Sequence, residues 1–357
     1  MPADYAGVDL FQAFALLFAG SVALLTVLAL LVVGRKALRD RREGKSARRR
    51  RHYRRALASQ DRRRLRRVLG SVRDREQQVD LAFVLQDDSA PRPPVEVLDR
   101  EGRRSGLTAR LQEQLDARSG PARGRAVLIL AHLRLPQGVT RLEPMLDDDD
   151  PDVRLVAVAG LPLAEDPEAV PALVRALSKR RLAPERVIER LGQPWAVGSL
   201  LEQLRELDAR GERRAAPRVG VARALGYAGD PRAEPAMIDL LRRGSLEERI
   251  SAARALGAVG GRRARPELER ALADEAWPLR AQAAKALGSI GIKKAVPALE
   301  AVLADEAWWV RANAASALRS LGAPGHRALE RALDHPDRYA RDRAREALAM
   351  DRVEASV

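Results

Sequence analysis

The sequence predicts an all-α protein: a right-handed α-solenoid of about eight helix pairs, preceded by a single transmembrane helix. Three observations support this class. Similar phrases recur about every 31 residues, the repeats have the apolar spacing of short helices, and a long uncharged segment lies near the N-terminus. A fixed period of 20 to 50 residues is typical of a solenoid, in which each unit buries its apolar face only against its neighbours.

The repeat is clearest in DEAWPLRAQAAKALG at 274–288 and DEAWWVRANAASALR at 305–319. An arginine followed by a leucine seven positions later marks the phase of each unit. An eighth unit has Pro184 in place of the arginine, and successive markers are 30 to 34 residues apart. These units predict a repeat domain over 106–350. The marker arginines are Arg123, Arg154, Arg218, Arg249, Arg280, Arg311 and Arg341.

Each unit contains the start and stop signals of two helices. A proline lies fourteen positions before the marker in three successive units, at Pro235, Pro266 and Pro297, and fits the first turn of a helix. Acidic residues fall between the two helices, where they suit a turn and the positive end of the second helix. Glycines follow the marker leucine directly and again three positions later, where they are expected to close the second helix. They are Gly226, Gly257, Gly288, Gly229, Gly260 and Gly291.

This pattern resembles the HEAT repeat family, in particular the short bacterial HEAT-like repeats also found in phycobilin lyases. The likeness is strongest over 217–350 and weakest over 162–216. In that family a turn aspartate and a helix arginine stack between units as a ladder, which is a structural and not a catalytic feature. The resemblance implies that the ladder here comprises Asp274, Asp305, Arg154, Arg218, Arg249, Arg280, Arg311 and Arg341.

Residues 10–33 form an uncharged segment of 24 residues, long enough to cross a hydrocarbon core of roughly 30 Å as a helix. A buried helix is the alternative, but a solenoid of short helices has no place for so long an apolar rod. A cleaved signal peptide is disfavoured because 1–9 lack Lys and Arg. Since basic residues follow the segment, we expect a single-pass protein of the bacterial inner membrane, with 1–9 outside and the repeats in the cytoplasm.

The positive charge is confined to one segment. Residues 35–75 contain 19 of the 64 Lys and Arg and four of the 49 acidic residues, so they account for the whole net charge of +15. We interpret 34–75 as a polybasic juxtamembrane helical arm that either contacts anionic lipid or merely fixes topology. Nucleic acid is a less favoured partner, because only Tyr53 offers stacking. The candidate lipid contacts are Arg48, Arg49, Arg50, Arg51, Arg54 and Arg55.

The remaining segments have weaker patterns. Residues 76–105 are predicted to be a degenerate helical or linker segment, with 89–106 a linker or irregular cap because proline and glycine lie at its edges. Residues 351–357 are predicted to be a C-terminal tail.

No catalytic or metal motif is found, and we predict a protein that is not an enzyme and has no cofactor. The absence of cysteine excludes thiol chemistry and cysteine zinc sites. The four histidines do not converge by spacing, and none is followed by glutamate, whereas HEAT-like deoxyhypusine hydroxylases carry His-Glu pairs as iron ligands. The acidic run at 147–150 lacks the glycine of a calcium loop, so Asp150 is interpreted as the cap of a helix that begins at Pro151.

Trp277 and Trp308 occupy the same repeat position, and Trp309 follows the second. Such tryptophans either cover the seam between repeats or contact a partner, and Trp309 is the better candidate for contact. The sequence thus predicts a membrane-anchored scaffold or adaptor that binds an unidentified protein partner. The alternatives are a lyase-like accessory protein acting on a bound client, and nucleic-acid tethering through the basic arm.

Overall fold

The computed structural model describes residues 39, 41–87, 89, 91–134, 138–179, 181–211 and 215–354. The chain divides into two compact units, residues 1–110 and 111–357. All regular secondary structure in these ranges is helical. The predicted all-α class is therefore confirmed.

Among the described residues of the N-terminal unit, four helices precede residue 105: α1 (41–57), α2 (Arg62–Gly70), α3 (Arg75–Leu85) and α4 (Val95–Arg104). Asp74 begins α3 with a capping box, in which its carboxylate accepts from the Gln77 backbone and Gln77 accepts in return. The apolar faces of these helices are buried, including Tyr53 of α1 and Leu81 of α3. The basic segment is thus part of a packed helical unit.

Helix α4 lies where the sequence predicts a linker or irregular cap. Pro94 precedes its first residue, and Leu98 is buried. The proline that indicated a linker instead stands at the helix start, where a missing N–H costs nothing. The prediction of a linker over 89–106 is wrong for this part.

In the described part of the chain, α5 and α6 are followed by seven helix pairs. In most of these pairs the first helix is shorter than the second, whereas α9 and α10 have eight residues each. Short 3₁₀ turns often precede or extend the first helix. The helices are α5 (Leu107–Gln114), α6 (Gly120–His132), α7 (Gly138–Leu142), α8 (Pro151–Gly160), α9 (Ala169–Ala176), α10 (Pro184–Leu191), α11 (Val197–Ala209), α12 (Ala215–Ala228), α13 (Glu234–Arg243), α14 (Leu246–Val259), α15 (Arg265–Ala271), α16 (Trp277–Ile290), α17 (Val296–Ala301), α18 (Trp308–Ser320), α19 (Ala323–Ala332) and α20 (Arg338–Glu354).

The predicted helix starts are confirmed. Pro235, Pro266 and Pro297 each occupy the first turn of a first helix. Asp150 caps α8, and its carboxylate accepts from the Asp152 N–H at 2.9 Å. A proline in the first turn loses no hydrogen bond, and a carboxylate there satisfies an unpaired N–H.

The two sets of glycines have different roles. Gly229, Gly260 and Gly291 adopt positive φ beyond the second helices, as predicted. Gly226, Gly257 and Gly288 do not end helices, which corrects that expectation. They lie inside α12, α14 and α16, where the next second helix passes very close.

The second helices α12, α14, α16 and α18 pack on one another in chain order. A Cβ placed on Gly288 would lie 2.6 Å from the Ala317 Cβ and 2.7 Å from its Cα. Gly226 and Gly257 face Ala255 and Ala286 in the same way, with 3.0 and 3.1 Å to the alanine Cα. Glycine against alanine thus permits the close contact that builds this solenoid-like stack. The handedness of the stack stays a prediction.

The predicted localisation, a single-pass protein of the bacterial inner membrane, is corrected by the structure. No helix in the described part of the chain is long and apolar enough to cross a membrane. The continuous described parts of the long helices α1 and α20 have 17 residues each and are rich in arginine, whereas a span needs about 20 apolar residues. The segment that carried the prediction, 10–33, lies outside the described residues, as do 1–9 and 355–357.

Candidate functional site

We call each arginine of the ladder, together with the turn residue that it reaches in the next unit, a rung. Arg280 forms the most complete rung. Its Nε and Nη2 donate to the two carboxylate oxygens of Asp305 in the next unit, at 2.8 and 2.9 Å. Its Nη1 donates to the carbonyls of Asp274 and Glu275 in its own turn, at 2.8 and 2.9 Å. Asp305 also accepts from the Ala307 N–H at 2.8 Å. One side chain thus fixes two successive turns, and the hydrogen bonds that Arg280 donates to Asp305 raise its pKa despite its burial.

Two further arginines reach the turn of the next unit in the same way. Arg249 Nη1 lies 2.5 Å from Asp274 Oδ2. Arg123 contacts Asp148 through Nε and Nη2, at 2.7 and 2.6 Å. The Arg123 rung was not among the predicted ladder residues, although the sequence places Asp148 25 positions later, the same separation as between Arg280 and Asp305.

The ladder is irregular in the middle of the repeats. Arg154 binds the carbonyls of Asp148 and Asp149 but contacts only the Arg181 carbonyl in the next unit, at 3.3 Å. Arg218 in α12 pairs with Asp208 of the preceding helix α11, at 2.6 Å. It also lies 3.8 Å from Glu248. Of these contacted residues, Arg181 and Asp208 both lie in 162–216, where the repeat phrase is weakest.

The final rung lacks a carboxylate. Arg311 Nη1 donates to the carbonyls of Asp305 and Glu306, at 2.7 and 2.9 Å, as Arg280 does one unit earlier. Its Nε is buried without a hydrogen-bond partner. Arg341 binds the carbonyls of His335 and Pro336 with Nη1.

The three predicted tryptophans lie at the starts of α16 and α18. Trp277, Trp308 and Trp309 are 46%, 47% and 57% exposed. Trp308 and Trp309 meet edge to face, with 4.7 Å between ring centroids. Half-exposed indoles at adjacent repeats are unusual on a soluble surface, so they form a candidate contact area.

Tyr339 in α20 extends this area and was missed by the sequence analysis. It is 56% exposed, and its ring lies 4.6 Å from the guanidinium carbon of Arg311. Arg343 lies 5.4 Å above the Trp308 ring. The signal that could have found Tyr339 is its position two residues before a marker arginine, which is the position of Trp309. We name the surface of Trp277, Trp308, Trp309 and Tyr339 the aromatic surface.

In the N-terminal unit, two of the candidate lipid-contacting arginines are held by a buried carboxylate. Arg49 Nε lies 2.6 Å and Arg50 Nε 2.9 Å from the oxygens of Asp80, which is 2% exposed. Ser46 donates to the same carboxylate. Burial alone would raise the pKa of Asp80, but the hydrogen bonds from Ser46, Arg49 and Arg50 outweigh it and lower the pKa.

Other groups of α1 are also engaged within this unit. Arg54 pairs with Asp87 at 2.7 Å, and the Arg50 guanidinium lies 3.8 Å from the centre of the Phe83 ring. Burial, with the charge of Asp80 adding to it, raises the pKa of Tyr53 to about 12. Tyr53 is therefore a core residue and offers no stacking face. In the same candidate set Arg48, Arg51, Arg54 and Arg55 are exposed.

The acidic side chains do not gather into a metal site. Within the described ranges, no group of three His, Asp or Glu side chains is placed to hold a metal ion. The acidic run at 147–150 is divided among separate partners: Asp147 pairs with Lys179, Asp148 with Arg123, and Asp150 caps α8.

Paired short helices, glycine-to-alanine contacts and an arginine ladder define a helical-repeat protein. The model for HEAT repeats matches residues 108–192, 199–280 and 268–349, which is well over half of the chain. The chain belongs to the HEAT repeat family.

Several solved structures are similar to the chain. Human deoxyhypusine hydroxylase in complex with glycerol is 25% identical, covers 71% of this chain and 97% of its own, and gives a TM-score of 0.30. The complex of CpcE and CpcF of phycocyanin lyase from Nostoc sp. PCC7120 is 20% identical, with 74% and 97% coverage and a TM-score of 0.32. Importin beta is 14% identical, with 76% and 46% coverage and a TM-score of 0.48. A comparison with curated protein sequences finds no match. None of these likenesses assigns a function.

Proposed function

We propose that this protein is a non-enzymatic scaffold that binds a protein partner through the aromatic surface of its C-terminal repeats. The observation that carries the proposal is the exposure of Trp309, Trp308 and Trp277 at the starts of adjacent second helices. HEAT solenoids commonly bind protein partners, and tryptophan, tyrosine and arginine are the residues that most often dominate binding energy at interfaces.

The surroundings of the indoles favour contact over a purely structural role. A residue that only seals the seam between repeats would be buried by its neighbours, as Leu279 and Val310 are. Trp309 has Pro278 as its counterpart in the preceding unit, so the repeat does not require an indole there. Fully burying a large apolar side chain contributes roughly 1.5–3 kcal/mol, so covering these half-exposed indoles would contribute about half of that for each.

The N-terminal basic helix is a weaker candidate for the contact. Arg49, Arg50 and Arg54 are already paired with Asp80 and Asp87 inside their own unit. A ligand would have to replace these ion pairs. The proposal therefore assigns partner binding to the repeats.

Site-specific photo-crosslinking in native cells tests this assignment. A photoreactive phenylalanine derivative at position 309 replaces one exposed aromatic side chain with another, and the same residue at the exposed Lys294 is the matched control. We expect position 309 to crosslink reproducibly to one protein, and Trp277→Ala with Trp308→Ala to abolish that product.

Identical crosslinking patterns from positions 309 and 294 would contradict the proposal. So would a product from position 309 that persists after Trp277→Ala and Trp308→Ala. Circular dichroism of each variant verifies that the helices remain folded.

A further inference from the structure

The last rung of the ladder differs from the others by one substitution. Counting back six positions from the marker arginine gives Asp274 before Arg280, Asp305 before Arg311 and His335 before Arg341. The His335 Nδ1 accepts from the Asp337 N–H at 3.0 Å, as Asp305 accepts from the Ala307 N–H at 2.8 Å. Histidine thus keeps the turn of the aspartate but supplies no negative charge.

Arg311 is the residue that this substitution leaves without an ion pair. In the preceding unit, Arg280 donates hydrogen bonds from its Nε and Nη2 to the two carboxylate oxygens of Asp305. Arg311 is 7% exposed and holds its own turn with Nη1, yet its Nε has no acceptor and no carboxylate in the described part of the chain pairs with it. A buried guanidinium without a counter-charge is costly, so this edge is suited to an anion from outside.

A hollow of about 450 Å³ lies at this rung, and Arg311, Trp308 and Tyr339 line it. The two acidic residues of its wall already have cationic partners: Asp342 pairs with Arg345 and Arg338, at 3.1 and 3.6 Å, and Glu346 with Arg343, at 2.6 Å. The hollow therefore combines an aromatic wall with an excess of positive charge. It has room for a short segment and not for a folded domain.

We propose that the hollow at Arg311 binds an aspartate or glutamate side chain of a partner segment in which an apolar residue lies beside the acidic one. The carboxylate completes the rung that His335 leaves open, by accepting from Arg311 as Asp305 accepts from Arg280. The apolar neighbour packs on Trp308 and Trp309. The inference rests on the proposed function, since it names the chemistry of the partner at the same aromatic surface.

Selection of peptides from a phage-displayed library of random 12-residue sequences, with the full chain as bait, tests the inference. We expect enriched peptides to share an acidic residue next to an aromatic or aliphatic one. Changing that residue from Glu to Gln, or from Asp to Asn, in a synthetic peptide should weaken binding at least tenfold, measured by calorimetry.

His335→Asp is the decisive variant, because it places a carboxylate on Arg311 from within the chain. We expect it to leave the helical content unchanged, to raise the melting temperature, and to weaken binding of the selected peptide at least tenfold. Arg311 itself is a poorer target, because its loss also removes the hydrogen bonds to Asp305 and Glu306. His326→Asp, an exposed histidine in α19, controls for added negative charge.

The outcomes separate the two proposals. Peptides that need Trp309 but carry no acidic residue, or that bind equally well to His335→Asp, would overturn the carboxylate site and leave the scaffold function standing. If no selected peptide loses affinity on Trp309→Ala, both proposals fail.

Discussion

Asp80 in the N-terminal unit and the arginine ladder in the repeats neutralise arginines in different ways. In the N-terminal unit, a single buried carboxylate, Asp80, receives Arg49 and Arg50 from one helix. In the repeats, each complete rung joins one arginine to one aspartate 25 positions later, as in Arg280 and Asp305. The comparison shows that a repeated contact is visible in the sequence because it recurs, whereas a contact made once leaves no pattern.

The two kinds of contact also differ in how many arginines depend on one carboxylate. Asp80 is 2% exposed and serves two guanidinium groups, so its loss leaves Arg50 without a carboxylate and Arg49 with only the exposed Glu76, at 3.2 Å. A rung of the ladder carries one such pair and is backed by carbonyl contacts. Removing one partner of a buried pair costs more than the pair itself contributes.

The largest effect is therefore expected in the N-terminal unit. Asp80→Ala should lower the free energy of unfolding of that unit by about 3 kcal/mol, because Arg50 loses its carboxylate and Arg49 keeps only its pair with the exposed Glu76. Chemical denaturation followed by circular dichroism measures this. Asp87→Ala removes the more exposed pair with Arg54 and the hydrogen bonds from Ser89, and should cost less than Asp80→Ala, about 1 kcal/mol. Equal losses from the two variants would contradict this account.

The next largest effect is expected at the ladder. Asp305→Ala removes the bidentate pair with Arg280 and the cap on the Ala307 N–H, and should cost about 2 kcal/mol. Glu300→Ala, which breaks an exposed pair with Arg331, is the matched control and should change the free energy of unfolding by less than about 1 kcal/mol. An unchanged free energy of unfolding in Asp305→Ala would show that the ladder does not stabilise the repeats.

A smaller effect, of opposite sign in the two units, is expected from two glycine substitutions. Gly288→Ala should destabilise the repeats by about 1.5 kcal/mol, because the new Cβ meets the Ala317 backbone. Gly70→Ala in α2 places its Cβ 3.6 Å from the nearest atom and should stabilise its unit by up to about 1 kcal/mol. Melting temperatures of the two variants measure the contrast, and a shift in the same direction would show that close contact is not what requires glycine at 288.

The smallest effect is a pH dependence. Hydrogen bonds from Arg123 lower the pKa of Asp148, against the opposing effect of burial. Since the folded pKa lies below the unfolded value of about 3.9, this contribution is fully present above that pH and is lost as the pH falls through the folded pKa. The stability gap between the native chain and Asp148→Asn should therefore close between about pH 4 and pH 2. Asp147→Asn, which removes an exposed pair with Lys179, is the control for the lost charge. A gap that is constant with pH would refute the assignment.

The sequence predicted the repeat pairs, the prolines at their first turns and Asp150 as a cap, because local hydrogen bonding and sterics decide these features. It did not predict that Gly288 faces Ala317, since its position near a helix end allowed two interpretations and only packing distinguishes them. Asp80 was missed because nothing in 76–85 marks a buried acid. The role of His335 was missed because the last marker arginine, Arg341, follows Arg311 after 30 residues instead of 31. The counterpart of Asp305 is therefore 30 positions later, at His335.

The glycine and alanine contacts have a consequence for how such a chain can change in length. Each glycine meets an alanine of the following unit, so a copied segment of 31 residues carries a fitting surface at both of its ends. Duplication of such a segment preserves each glycine-to-alanine contact without further mutations. An insertion of another length places a different side chain opposite the alanine. The series stops at α18, where Arg319 occupies the glycine position, so growth of this kind is confined to the units before it.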